Sequence, residues 1–177
     1  MPIVTASRAT LLIIDVQTRL VPAIDDGAAA VANARRLLRA AAIIGVPALF
    51  TEQNPKGLGP TLPELGADDA RVVGKMAFDA GRAPGFDQRL GEAGDVIVAG
   101  VEAHVCVLQT ALGLIGKGRR VFVVADAVGS RRPENKEAGL RRMERNGAEI
   151  VTTEMVIFEW LGDAGHSRFR DVVALIK

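Results

Sequence analysis

The amino-acid sequence predicts one α/β domain over residues 1–177: three layers, α/β/α, around a six-stranded parallel sheet in the order 3-2-1-4-5-6. Three observations carry this expectation. Short runs such as 9–16, 96–99 and 121–125 are almost wholly apolar and rich in β-branched residues, the pattern of strands covered on both faces. Segments of helical spacing alternate with these runs, which implies parallel strands joined by crossover helices. The chain of 177 residues suits one domain with a full core, and no repeat, low-complexity tract or linker divides it.

The elements follow in order. Segment 9–16 is the first strand, apolar until Asp15. Asp25 or Asp26 caps an Ala-rich helix that runs to Ile44, where Gly45 and Pro47 end it. Segment 46–51 is the second strand. Residues 52–65 are rich in Pro and Gly and read as a long irregular loop, either the wall or lid of a site or a surface excursion. Gly57 and Gly59 begin a dinucleotide-binding fingerprint, but Leu62 stands where the third glycine belongs and no helical pattern follows. Segment 71–74 is a short third strand, and a helical pattern surrounds Phe86 to Leu90. The fourth strand, 96–99, turns at Gly100 into a helix whose apolar residues run from Val105 to Ile115. Segment 121–125 is the fifth strand, with Asp126 just past its end. Pro133 opens a helix that closes at Asn146-Gly147. Segment 149–152 is the sixth strand, and 155–161 and 167–176 are terminal helices. Trp160 reads as a packing or interface anchor and His166 as a local hydrogen-bonding residue in the intervening turn.

Composition excludes several function classes. Lys plus Arg is 22 and Asp plus Glu is 21, a net charge of +1, so there is no electrostatic case for a nucleic-acid or membrane partner. The near-zero charge is compatible with a homo-oligomer, a dimer or higher. One cysteine rules out an internal disulfide and any multi-cysteine metal site. No basic leader with an apolar run is visible, and no apolar run is long enough to span a bilayer, so a cytoplasmic protein is expected.

Ligands of such sheets bind outside the carboxyl ends of the strands, where the strand order reverses. Asp15, Lys75 and Cys106 all follow strand ends. In the predicted order, Asp15 and Cys106 lie on neighbouring strands at the reversal, whereas Lys75, at the sheet edge, needs its segment to fold back. A carboxylate ending a buried strand is expensive unless it is paired or working. Taken singly, Asp15 could be a turn cap, Lys75 a solvated surface residue and Cys106 a small buried hydrophobe. Cys106 at a helix N-terminus should have a pKa below the free value of about 8.5. His104, two residues away, points to a different helical face and should be structural or line the pocket rather than pair with the thiol.

The segments Leu-Leu-Ile-Ile-Asp15-Val-Gln17, Gly74-Lys75-Met-Ala-Phe78 and Gly100-Val-Glu-Ala-His-Val-Cys106 resemble those of the isochorismatase-like cysteine hydrolases. That superfamily includes nicotinamidases and N-carbamoylsarcosine amidohydrolases. The stretch 52–59 and the ending Gly162-Asp-Ala-Gly-His166 look most like the isochorismatase-domain-containing subgroup. The resemblance implies that Cys106 is the nucleophile, Asp15 the acid/base and Lys75 the cationic third member. It implies a cis peptide at Val101-Glu102 and an oxyanion hole made by the N–H groups of Glu102 and Cys106. Gln17, Gln53, Phe78 and Val101 are the expected substrate-binding residues. The loop after the second strand lacks the Asp-x-His metal motif of nicotinamidases, so neither metal nor other cofactor is expected. The expected activity is cysteine-dependent cleavage of a C–N bond, of amide or carbamoyl type, in a small-molecule substrate through a thioester. The alternatives are a vinyl ether hydrolase of isochorismatase type and a catalytically silent binding protein on the same fold.

Overall fold

The structure is a computed structural model that describes residues 3–92 and 94–177. Six strands form one parallel sheet: β1 (Ala9–Ile14), β2 (Ala48–Gln53), β3 (Val72–Lys75), β4 (Asp95–Val101), β5 (Arg120–Gly129) and β6 (Glu149–Val151). Their order is β3-β2-β1-β4-β5-β6, as the sequence predicts. Side chains alternate faces along each strand. Leu11, Ile13, Phe50, Ile97 and Phe122 enter one apolar layer, whereas Leu12, Ile14, Leu49, Val96, Val98 and Val121 enter the other. That alternation is why both faces need helical cover.

The helices are α1 (Gly27–Ile44), α2 (Pro55–Leu58), α3 (Phe86–Leu90), α4 (Leu108–Gly116), α5 (Pro133–Arg145), α6 (Thr153–Leu161) and α7 (Phe169–Val173). Ala30, Val31, Ala34, Leu37, Ala40 and Ala41 form the buried stripe of α1, at the spacing an amphipathic helix requires. The first apolar layer also takes Val156, Ile157 and Trp160 of α6 and Val172 of α7. The second takes Phe86 of α3, Ala111 and Leu114 of α4 and Met143 of α5. Among the described residues, no helix is long and apolar enough to cross a membrane.

Several boundaries differ from the sequence reading, each for a local reason. Asp26 occupies the N-cap position of α1, but its side chain makes no capping bond. The Pro/Gly-rich stretch is not wholly irregular, because Pro55 starts the single turn α2. Strand β2 runs on through Glu52 and Gln53, whose parallel partners are Gly74 and Lys75. Asp126 lies inside β5 rather than beyond it, at an irregularity where Val98 pairs Val123 and Gly100 pairs Val128. Its carboxylate accepts from the N–H and hydroxyl of Thr153, at 2.8 and 3.0 Å, and so tethers α6 rather than serving a site. His166 accepts a hydrogen bond from the Arg168 N–H at 3.0 Å, the local role its turn suggested.

The sheet reverses between β1 and β4, where Ile14 lies opposite Gly100. The strands approach closely there. Gly100 has φ +129°, and a Cβ on it would run into the backbone of Ile14. Gly45, which ends α1 at φ +92°, has open space where a Cβ would go. Gly100→Ala should therefore cost about 3 kcal/mol or more, combining overpacking with an unfavourable φ, whereas Gly45→Ala should cost about 1 kcal/mol. Urea unfolding of the two variants checks the contrast, and equal midpoints would contradict it.

Candidate active site

Asp15 follows β1 directly and turns out of the strand with φ +53°, a conformation uncommon for a residue carrying a side chain. The Gln17 N–H closes this turn on the Asp15 carbonyl at 2.8 Å. Because β2 and β3 end beside it in register, two side chains converge on the carboxylate. Thr51 donates its hydroxyl to Oδ1 at 2.6 Å, and the Lys75 ammonium donates to Oδ2 at 2.7 Å. Lys75 also donates to Gln53 Oε1 at 2.7 Å. Lys75 is the last residue of β3, opposite Gln53, so its stem reaches Asp15 past β2 and no fold-back of the segment is needed. Both charged side chains have 0% exposure. Removing either partner of such a pair leaves a buried charge uncompensated.

The two glutamines brace this arrangement. Gln53 donates through Nε2 to the Met76 carbonyl at 2.7 Å, which orients Oε1 toward Lys75. Gln17 is fully buried. Its Nε2 donates to the carbonyls of Gln53 and Gly59, at 3.0 and 2.6 Å, and its Oε1 accepts from the Gln53 N–H at 2.9 Å. The Gln17 amide therefore grips the end of β2 and the α2 segment.

Cys106 lies in a wide helical turn, Ala103–Val107, that precedes α4. The thiol is 5% exposed and sits 3.9 Å from Gln53 Oε1. Its pKa is pushed up to about 12, first by burial, then by the charge of Asp15 and its hydrogen bond, while Lys75 pulls the other way. The depressed pKa expected from the helix N-terminus is thus corrected. That expectation counted the helix end, but burial disfavours the thiolate, Asp15 adds to the penalty, and Lys75 offsets only part of it.

The Val101-Glu102 peptide bond is cis. The Glu102 carboxylate accepts from the backbone N–H of Arg131 at 2.9 Å and from its guanidinium at 3.0 Å, tying the end of β4 to the turn before α5. Val101 is buried and Phe78 is 49% exposed. The Phe78 carbonyl accepts from the Thr110 hydroxyl of α4 at 3.4 Å, and that hydroxyl also accepts from the Ala80 N–H at 3.0 Å. His104 pairs through Nδ1 with the Ser130 hydroxyl at 3.0 Å. Among the described residues, no group of three His, Cys, Asp or Glu side chains is placed to hold a metal ion.

Thr51 and Thr110 escaped the sequence reading. For Thr51 a signal existed: a polar residue ending an otherwise apolar strand. Thr110 sits inside a helix with no such mark. The arrangement can do defined chemistry: it holds a thiol beside a carboxylate that is fixed at both oxygens and beside the ammonium paired with that carboxylate.

The Isochorismatase domain family matches residues 9–155. Isochorismatase domain-containing protein 2 of Xenopus laevis is 42% identical over 149 residues, covering 82% of this chain and 72% of that protein. The structure described as the MAR1 ribonuclease of Caenorhabditis elegans superposes with a TM-score of 0.94 at 35% identity, over 99% of this chain and 92% of that one. The ycaC gene product of Escherichia coli, described as an octameric hydrolase of unknown specificity, superposes with a TM-score of 0.86 at 28% identity, over 98% of this chain and 86% of that one. A family match across most of its length, and a relative at 42% identity over 82% of it, show that this chain belongs to the isochorismatase family.

Proposed function

We propose that this chain is a cysteine hydrolase that cleaves a C–N bond, of amide or carbamoyl type, in a small-molecule substrate. The observation that carries the reading is the meeting of Cys106, Asp15 and Lys75 in one buried cluster where the sheet order reverses. In the proposed reaction, Cys106 Sγ attacks the carbonyl carbon and Asp15 takes the thiol proton in the same step. The backbone N–H groups of Glu102 and Cys106 receive the developing oxyanion. Collapse breaks the C–N bond, and Asp15 returns its proton to the leaving amine. Water, deprotonated by Asp15, then hydrolyses the thioester, releasing the acid and restoring the thiol. Lys75 holds the carboxylate in place and offsets charge on sulfur. Gln53 and Gln17 act as positioning residues for Lys75 and the loop, and Phe78 forms part of the pocket rim.

A library of amides read by ammonia release should yield a substrate whose turnover is lost in Cys106→Ala and Cys106→Ser. Mass spectrometry of the wild type should trap an acyl group on Cys106. Turnover retained by either variant would overturn the thioester route, and an acyl group on another residue would move the nucleophile.

The raised pKa has a sign that can be tested. Iodoacetamide labelling of the free protein should be slow at neutral pH, because a shift from 9.0 to about 12 lowers the thiolate fraction roughly a thousandfold. At fixed alkaline pH, Asp15→Asn should label faster and Lys75→Met slower, since Asp15 raises the pKa and Lys75 lowers it. Each single variant should also lose about 3–5 kcal/mol of stability, part of which the double variant recovers. Labelling shifts of the same sign in both would break the assignment. Between about 9 and 12 the unfolded chain has lost the thiol proton that the native state keeps, so stability falls as pH rises through that window. Cys106→Ser lacks this loss, and the difference between the two unfolding profiles measures it.

We further propose that the chain forms a homo-oligomer. The large apolar side chains Met155 and Phe158, one turn apart on α6, are 45% and 44% exposed, and the Escherichia coli relative is described as octameric. Light scattering should show an assembly that Met155→Glu with Phe158→Glu reduces; an unchanged mass would exclude this face from the interface.

A further inference from the structure

Strand β2 serves the catalytic cluster at its carboxyl end. At its other end, beside Ala48 and Leu49, a cleft of about 690 Å³ opens between α1 and the segment 64–71. This volume falls within the range of small-molecule sites, about 300–1,000 Å³. Its floor is apolar: Ala41, Val46, Leu49 and Leu65 line it and are themselves buried. Its rim is cationic. Arg35, Arg39, Arg71 and Arg89 line the cleft, and Glu64 is the one acidic residue among its lining side chains.

The four guanidinium groups are not equivalent. Arg71 is matched by Asp68 at 2.6 Å and lies over the Phe50 ring, 5.6 Å from its centre. Arg89 donates to the Val72 carbonyl at 2.5 Å, which fixes its direction without neutralising its charge. Arg35 and Arg39 stand one turn apart on the exposed side of α1, and among the described residues neither side chain has a hydrogen bond or ion pair. Like charges at this spacing repel, so the pair lowers the stability of the helix that carries it. Set Glu64 and Asp68 against two of the arginines, and two guanidinium charges still face the cleft without a carboxylate. A bound anion would turn that repulsion into attraction, and a guanidinium fork matches a carboxylate in shape as well as charge.

We propose that this cleft binds a small organic carboxylate with an apolar body, the head group held by Arg35 and Arg39 and the body lying on Val46, Leu49 and Leu65. The site is separate from Cys106, and the proposal does not depend on the thioester reading.

Octanoate is a suitable probe, with acetate and octanol as controls that lack the tail and the charge respectively. Isothermal titration of the full chain should show saturable binding of octanoate, with both controls weaker by about tenfold or more. Arg35→Glu and Arg39→Glu should each weaken octanoate by about tenfold, and Cys106→Ser should leave it unchanged. Both arginines are exposed, so thermal melting should confirm that the variants fold; should either fail, Arg39→Gln replaces it. Ala42→Trp, which adds bulk within the cleft, should abolish binding. Full affinity in both arginine variants, octanol binding as tightly as octanoate, or no saturation at millimolar octanoate would each overturn the proposal. Affinity lost only in Cys106→Ser would assign the ligand to the catalytic cluster instead.

Discussion

The ion pair between Lys75 and Asp15 is the constraint on which the rest of the site depends. Neither side chain has any exposure. Two charges removed from water are tolerable only with close geometry and with their remaining hydrogen-bonding capacity met. Each further contact follows from that demand. Thr51 takes the second oxygen of Asp15, and Gln53 takes a further proton of the ammonium. Gln53 must then be oriented, which the Met76 carbonyl and the Gln17 amide accomplish. The network thereby reaches from the pair to the loop at Gly59. Its members sit on three adjacent parallel strands or immediately beyond them, so backbone register fixes their spacing better than a flexible loop could.

The same pair determines the state of the thiol. A free ammonium beside Cys106 would favour a thiolate, but here the ammonium's charge is matched by the carboxylate, and that carboxylate also faces the sulfur. The resting thiol is therefore neutral. This favours proton removal in step with attack over a standing thiolate, and it gives Asp15 the acceptor role in either half of the proposed cycle. It also distinguishes this site from cysteine sites where an imidazolium lowers the thiol pKa. His104 is close in sequence, but Ser130 holds its Nδ1.

Much of this was legible in the sequence, and the physical reason is periodicity. Buried parallel strands must be apolar on both faces, so a charged residue closing one stands out, as Asp15 and Lys75 do. In the doubly wound strand order expected for such an alternation, Asp15 and Cys106 fall on neighbouring strands at the reversal. What stayed hidden depended on three-dimensional neighbours. The Asp126 tether requires knowing that β5 is irregular there and passes Thr153. The thiol's raised pKa requires knowing that Asp15 and burial outweigh Lys75. Gln17 was visible as a polar residue near a strand end, but its grip on Gly59 depends on where the loop returns.

This division also explains why the chemistry is easier to read than the substrate. The groups proposed to make and break bonds lie at strand ends or in the turn before α4, where packing leaves them one position. The rim proposed for the pocket is built differently. Phe78 belongs to the segment between β3 and α3 and is half exposed, held through its backbone carbonyl by Thr110. A side chain anchored by its backbone can be exchanged for another without disturbing the Asp15–Lys75 pair. The fold thus separates a buried, interlocked centre from an exposed segment that can vary without disturbing it.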